Sequence, residues 1–395
     1  LEEALKNPPP VVKIGAVPET SPAESIKIKF RVESAGGGIG EVRVFHNGKL
    51  IKSDGHYRVA ASAQAGGDIV ASNDTRAILN ELRGLARDGA AAIVQSPEKG
   101  RVYEGEVEIE PVRGDNLVSV TAFNASNTIQ GPLRNASFQS TVPTRTPHLY
   151  ILALGTDKYV ESGINLKFAA KDAGDVSAKL AQQAGSLYLP ENTHRRVLLD
   201  ASKKQILEAI AELGRKIKIG DAFVLFAAGH GILKGNQYYL VTHDYNGQVS
   251  DYCLISSNEI VEMSKDIKAL SQLFIFDTCH AGGLDYIVSG LYDARMSVLA
   301  KKIGLHIYAA ASSRQAAIDG YKGNGLFSHV LLSGLDDNPL ADQNQDKRVS
   351  VVELGRYSRE QTGKLAQTVG HKQTPLIINF GRDNPIYNLR PGNVK

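Results

Sequence analysis

No stretch of this sequence approaches the roughly 18 consecutive apolar residues that a membrane-spanning helix requires, so such a helix is excluded. Cysteine is nearly absent: Cys253 and Cys279 are the only two. Two can form one bridge but no disulfide framework, and each lies in or beside an apolar run. Free thiols in a reducing, cytoplasmic compartment are therefore expected. Charge of one sign is missing as well. Lys and Arg number 45 against 42 Asp and Glu, for a net charge of +3, and the signs alternate along the chain. Without a basic stripe, neither nucleic acid nor a membrane is the expected partner. No charged-then-apolar leader is visible either. Starting at Leu1 rather than Met, the chain reads as a piece of something longer. What remains is ordinary globular composition, 42% hydrophobic and 22% charged, in 395 residues that suit two domains.

Residues 1–145 read as an all-β module with a helical insert. Ile26, Ile28, Phe30 and Val32 alternate with Lys27, Lys29 and Arg31, the period of a half-buried strand. Val42, Val44 and Phe45 lead into Asn47-Gly48, a favoured hairpin turn, and Leu50-Ile51 resume the strand. Val102, Val107 and Ile109 predict another strand, as do 117–123 and 138–142. Asn73, Asp74 and Thr75 offer an N-cap to a helix carrying Ile78, Leu79, Leu82 and Leu85 on one face. Short strands with turns between them suggest an immunoglobulin-like sandwich acting as a spacer or partner-binding module. The prolines of Thr141–Pro147 mark a linker.

Residues 146–395 change pattern. Apolar runs at 149–154, 223–228, 272–276 and 305–310 suit strands buried on both faces, with amphipathic helices predicted at 169–183 and 206–217. Strand and helix in alternation predict an α/β fold: a mostly parallel sheet with helices on both faces. Ligands of such sheets bind beyond the carboxyl ends of the strands. Two strands end in reactive residues. One runs into Gly229-His230-Gly231, the other into Asp277-Thr278-Cys279-His280. A thiol after a buried strand is ordinarily a small core residue, and a Gly-His-Gly turn is ordinarily structural. Together they make a nucleophile and a proton-transfer partner, with the glycines letting a substrate backbone approach and the N–H groups of Gly231 and Cys279 facing an oxyanion.

Through Ala228-Gly229-His230-Gly231, Asp277-Thr278-Cys279-His280-Ala281-Gly282, Ala311-Ser312-Ser313 and Gly325-Leu326-Phe327-Ser328, residues from about 148 to 390 resemble a caspase-family cysteine peptidase of clan CD, family C14. The resemblance is closest to prokaryotic metacaspases and orthocaspases. It implies a Cys279–His230 dyad, no cofactor, and a protein or peptide substrate. It also implies a first-position pocket lined by Asp172 and Asp277, with Ser312 and Ser313 beside it, selecting Arg or Lys. Asp172 read by itself is equally a helix N-terminal charge. Two features depart from the basic-pocket pattern. Arg314 stands near where animal caspases hold an acidic substrate residue, and Ala228 replaces the usual Ser. Self-processing between the Cys279 strand and the strand at Leu305 is expected to use Arg295, Lys301 or Lys302, residues that an ordinary amphipathic helix would also carry.

Three further motifs have a bland reading beside a sharper one. His280 follows the nucleophile but should point away from it. His243-Asp244 reads as a loop turn. Asp342, Asn344, Asp346 and Glu353 have calcium-loop spacing, but Lys347 stands where glycine is wanted, so helix capping competes with metal binding. From a different function class, a caspase-like scaffold without catalysis is the competing reading.

Overall fold

The computed structural model describes residues 5–54, 99–234, 237–248, 250–279, 304–312 and 315–390. The expected helix at 73–85 and residues His280, Arg295, Lys301, Lys302, Ser313 and Arg314 lie outside these. The chain divides into two compact units, parting between Thr146 and Pro147.

In the first unit, β1 (Val11–Ile14), β3 (Ile26–Glu33) and β6 (Val102–Ile109) form one antiparallel sheet in the order β1-β3-β6. A second sheet orders β2 (Thr20–Ser21), β8 (Arg134–Ser140), β7 (Gly114–Ala122), β4 (Val42–His46) and β5 (Lys49–Ser53) as β2-β8-β7-β4-β5. Alternation does what the pattern predicts in β3, burying Ile28, Phe30 and Val32. The hairpin turn takes positive φ at both Asn47 (51°) and Gly48 (94°), which matches the twist of the strands it joins. In β6 the expected phase is off by one residue at its start. Val102 is exposed, while Tyr103 packs with Val107 and Ile109 against the core formed by Val12, Phe30, Val44, Val118 and Phe138. A strand can turn only every second side chain inward, and the larger ring takes the inner place.

In the second unit a six-stranded sheet has the order β10-β9-β11-β15-β16-β18. Its members are β9 (Leu149–Gly155), β10 (Thr193–Leu199), β11 (Ala222–Gly229), β15 (Ser271–Thr278), β16 (Gly304–Ala309) and β18 (Leu376–Gly381). The first five are mutually parallel and β18 closes the order antiparallel to β16, so the sheet is mixed. Val224, Phe226, Leu273 and Ile275 point from one face into a core with α1 (Ala169–Ala184), α4 (Leu326–Gly334) and α5 (Val351–Thr368). Phe223, Leu225, Phe274 and Phe276 point from the other face and are equally buried, so both sides of the sheet are covered. That double burial is why these strands read as continuous apolar runs.

Helix starts are set by local chemistry. The helices α2 (Lys203–Lys216), α3 (Ser257–Asp266) and α5 each begin with a capping box, from Ser202 to Gln205, Ser256 to Glu259 and Ser350 to Glu353. A small antiparallel sheet of β12 (Gly231–Lys234), β13 (Gln237–Val241) and β14 (Leu254–Ser256) follows directly on β11. Strands β17 (Arg348–Ser350) and β19 (Pro385–Asn388) pair near the C-terminus. No helix among the described residues is long and apolar enough to cross a membrane.

Candidate active site

Strands β11 and β15 are neighbours in strict parallel register, Ala228 opposite Asp277 and Gly229 opposite Thr278. One step further, past the carboxyl end of both strands, the next residues are His230 and Cys279. The sheet thus brings the two candidates to adjacent strand ends, where neighbouring backbones are about 4.8 Å apart. Both residues are half-buried, accessible yet held.

Gly231 has a different reason from the one its motif suggests. A Cβ there would overlap the carbonyl oxygen of Cys279 and come within 2.7 Å of the Tyr238 ring. The glycine therefore lets two strand ends meet. The ladder also orients its N–H. Val241 N donates to His230 O at 2.9 Å, the mark of a hydrogen-bonded position, and antiparallel pairs alternate. Gly231, opposite Leu240, falls in the next, non-bonded position and turns its N–H away from β13.

The histidine is oriented by groups that carry no sequence signature. Its Nε2 lies 2.6 Å from the carbonyl oxygen of Ile164. A carbonyl only accepts, so Nε2 carries the proton and Nδ1 is the basic nitrogen of the neutral ring. Its backbone N–H donates to the Tyr159 hydroxyl at 2.9 Å, and the two rings lie 5.2 Å apart.

The thiol of Cys279 points to the carbonyl of Ala317 at 4.0 Å. Burial pushes it above its ordinary value; the Ala317 carbonyl opposes this, and the negative charges of Asp277 and Asp319 add to the rise. The resting sulfur is therefore a thiol, not a preformed thiolate. Its alkylation by iodoacetamide, followed by peptide mass spectrometry, is expected to rise about tenfold per pH unit from 7 to 9 without levelling. A plateau below pH 7 would contradict this assignment.

The two predicted pocket carboxylates converge. Asp172, in the first turn of α1, accepts from Asn324 Nδ2 at 2.7 Å and from Gly325 N at 2.9 Å. Asp277, the penultimate residue of β15, accepts from Ser328 Oγ at 2.6 Å and Ser328 N at 3.1 Å. A Cβ on Gly325 would sit 2.8 Å from Asp277 Oδ2 and 2.9 Å from Asp172 Oδ2, so both carboxylates face one spot at the start of α4. Burial pushes both upward; Asp277 adds to the effect at Asp172. Asp172 is thus more than a helix-end charge, because its bonds go to another segment.

A third carboxylate escaped the sequence reading. Asp319 is exposed, accepts weakly from Lys167 N at 3.4 Å, and interacts electrostatically with Cys279, Asp172, Asp277 and His230. Nothing in Ile318-Asp319-Gly320 marks it, since its importance lies in where the loop after β16 folds back. Ser328 was visible only as part of a motif. It supplies Asp277 with the hydroxyl that Ala228, directly opposite in register, lacks. Ser312 is half-buried just past β16, with its carbonyl accepting from Gln315 N at 3.0 Å.

The remaining motifs lie elsewhere. His243 Nδ1 donates to Lys158 O at 2.6 Å, tying two loops together. Asp342 accepts from the N–H groups of Asp346 and Lys347, while Glu353 accepts from those of Gln343, Asn344 and Ser350. Lys347 takes φ of 65°, the left-handed turn normally left to glycine. Among the described residues no group of three His, Cys, Asp or Glu could hold a metal ion.

Residues 149–379 match the family model of the caspase domain. The chain belongs to the caspase-domain family of cysteine peptidases. No curated protein matches it. Among solved structures the caspase domain is similar to the crystal structure of caspase-1 from Spodoptera frugiperda, at 12% identity and a TM-score of 0.41, covering 62% of this chain and 92% of that one.

Proposed function

We propose that the caspase domain is a cysteine endopeptidase of metacaspase or orthocaspase type, cleaving after Arg or Lys. The observation that carries this reading is the β11–β15 register, whose last pair, Gly229 opposite Thr278, is followed directly by His230 and Cys279. His230 Nδ1 takes the thiol proton as sulfur attacks the substrate carbonyl carbon. The oxygen gains the negative charge, with the N–H groups of Gly231 and Cys279 as its donors. One such donor is typically worth about 3 kcal/mol. The imidazolium then protonates the departing amine as the C–N bond breaks. Water, losing a proton to the same imidazole, splits the thioester and restores the thiol. The cycle balances with no cofactor, and the carboxylates at 342–353 are read as capping a turn and helix.

Three carboxylates near one sulfur, with Lys167 and His230 acting on Asp319, favour a basic substrate side chain. Asp172 and Asp277 would form the pocket floor, Asp319 its mouth, with Ser312 and Ser313 along the wall. Fluorogenic peptides ending in Arg, Lys or Asp, assayed with wild type and Cys279→Ala, test the reading. Turnover of the Asp peptide alone would transfer specificity to Arg314. Equal, negligible turnover of all three by both proteins would leave the non-catalytic scaffold.

Residues 1–145 are read as an immunoglobulin-like sandwich that brings a partner or further domains to the peptidase at 146–395. A reducing, cytoplasmic location suits an enzyme whose two cysteines are free. Self-processing at Arg295, Lys301 or Lys302 is a further expectation. On incubation, wild type should yield two fragments on a denaturing gel while Cys279→Ala stays whole. Identical intact chains would dismiss it.

A further inference from the structure

One loop holds the histidine from three directions. Residues between β9 and α1 supply the Ile164 carbonyl to Nε2, the Tyr159 hydroxyl to the backbone N–H, and the Tyr159 ring to the imidazole. We propose that Tyr159 is a positioning residue for His230, fixing the imidazole beside Cys279 through its hydroxyl and its ring. The proposal rests on the peptidase reading above.

The hydroxyl takes a place in the strand ladder. His230 O accepts from Val241 N, but His230 N–H donates to Tyr159 where a regular antiparallel pair would return it to Val241. The end of β11 is therefore drawn toward the loop just where the imidazole departs. Gly229 accommodates this closeness, since a Cβ there would lie 3.0 Å from the hydroxyl oxygen.

Tyr159 is itself firmly placed. It is buried, and its N–H donates to Asn165 Oδ1 at 2.8 Å. Leu166 N closes the loop onto Asp157 O at 2.8 Å. Asp200 Oδ1 accepts from the N–H groups of Asp157 and Lys158, each at 2.8 Å. Val160 and Glu161 donate to the carbonyls of His243 and Tyr245. Burial raises the phenol well above its ordinary value, so it stays neutral and acts by geometry, not proton transfer.

Tyr159→Phe keeps the ring and deletes only the acceptor, which makes it the discriminating variant. With an Arg-terminated peptide, kcat is expected to fall about tenfold or more with KM nearly unchanged, since small displacements of a reacting group are costly. In protein labelled with 15N-histidine, the backbone and ring signals of His230 should shift or broaden in the variant relative to wild type. A wild-type kcat with an unchanged His230 spectrum would overturn the proposal. So would a lowered melting temperature with kcat and spectrum intact, which marks a merely structural tyrosine. If wild type hydrolyses no peptide, the peptidase reading fails, and the His230 spectrum still decides what Tyr159 does.

Discussion

Replacing Cys279 with Ala is expected to reduce kcat for an Arg-terminated peptide by on the order of 10⁴- to 10⁶-fold, with His230→Ala close behind. The size follows from the resting state of the site. The sulfur is a protonated thiol with its value raised by burial and by two neighbouring carboxylates. Attack therefore requires a base at the moment of bond formation, and neither partner does much without the other. For the same reason the double variant should be no slower than Cys279→Ala alone, since residues acting as a unit do not contribute additively. Steady-state kinetics on all three proteins, with circular dichroism to verify folding, would measure this. Measurable turnover surviving in Cys279→Ala would remove the sulfur from the mechanism.

Asp172→Asn and Asp277→Asn should each lower kcat/KM for Arg peptides, by about 2–5 kcal/mol or some 30- to several-thousand-fold, while sparing peptides with an uncharged residue there. Removing one buried carboxylate leaves a substrate guanidinium without its partner, which is why the cost is large. The pH dependence has a definite sign. Asp172 is raised by burial, and by Asp277, to about 7. Below that pH the pocket takes up protons and loses charge, so KM for Arg peptides should climb as pH falls from 8 to 5.

Stability should move the other way. A carboxyl raised in the folded state binds more protons there than in the unfolded chain between about pH 4 and 7, so stability increases as pH falls through that window. Melting curves of wild type should show that trend, and Asp172→Asn should flatten it. A KM independent of pH, together with equal losses on charged and neutral substrates, would take these carboxylates out of substrate recognition. They would then be only the buried anchor that ties α1 and β15 to the start of α4.

Much of the second unit was legible because its strands are covered on both faces. A strand with no solvent side becomes a short apolar run, and 149–154, 223–228, 272–276 and 305–310 each fell within a residue or two of a strand. The end of such a strand is readable too, which exposed His230 and Cys279. The small sheet after β11 was harder. β12 and β14 have three or four residues each, too short for a period to declare itself. In the first unit one wrong phase, at Val102, came from judging by hydrophobicity alone when the larger ring of Tyr103 could fill the interior.

The pocket and the support of the histidine were less legible. Ile164 acts through a carbonyl oxygen and Tyr159 through a hydroxyl that receives a main-chain proton, contacts that leave no pattern in residue type. Asp319 looked like any surface acid, and Ser328 like part of a helix start. Reading along the chain was enough to say which segments would be strands and which side chains stood at their ends, because burial and period act locally. Packing alone chose the partners: segments far apart in the chain meet at the carboxyl edge of the sheet, and there burial and mutual repulsion, which no local pattern encodes, set the protonation of Cys279, Asp172 and Asp277.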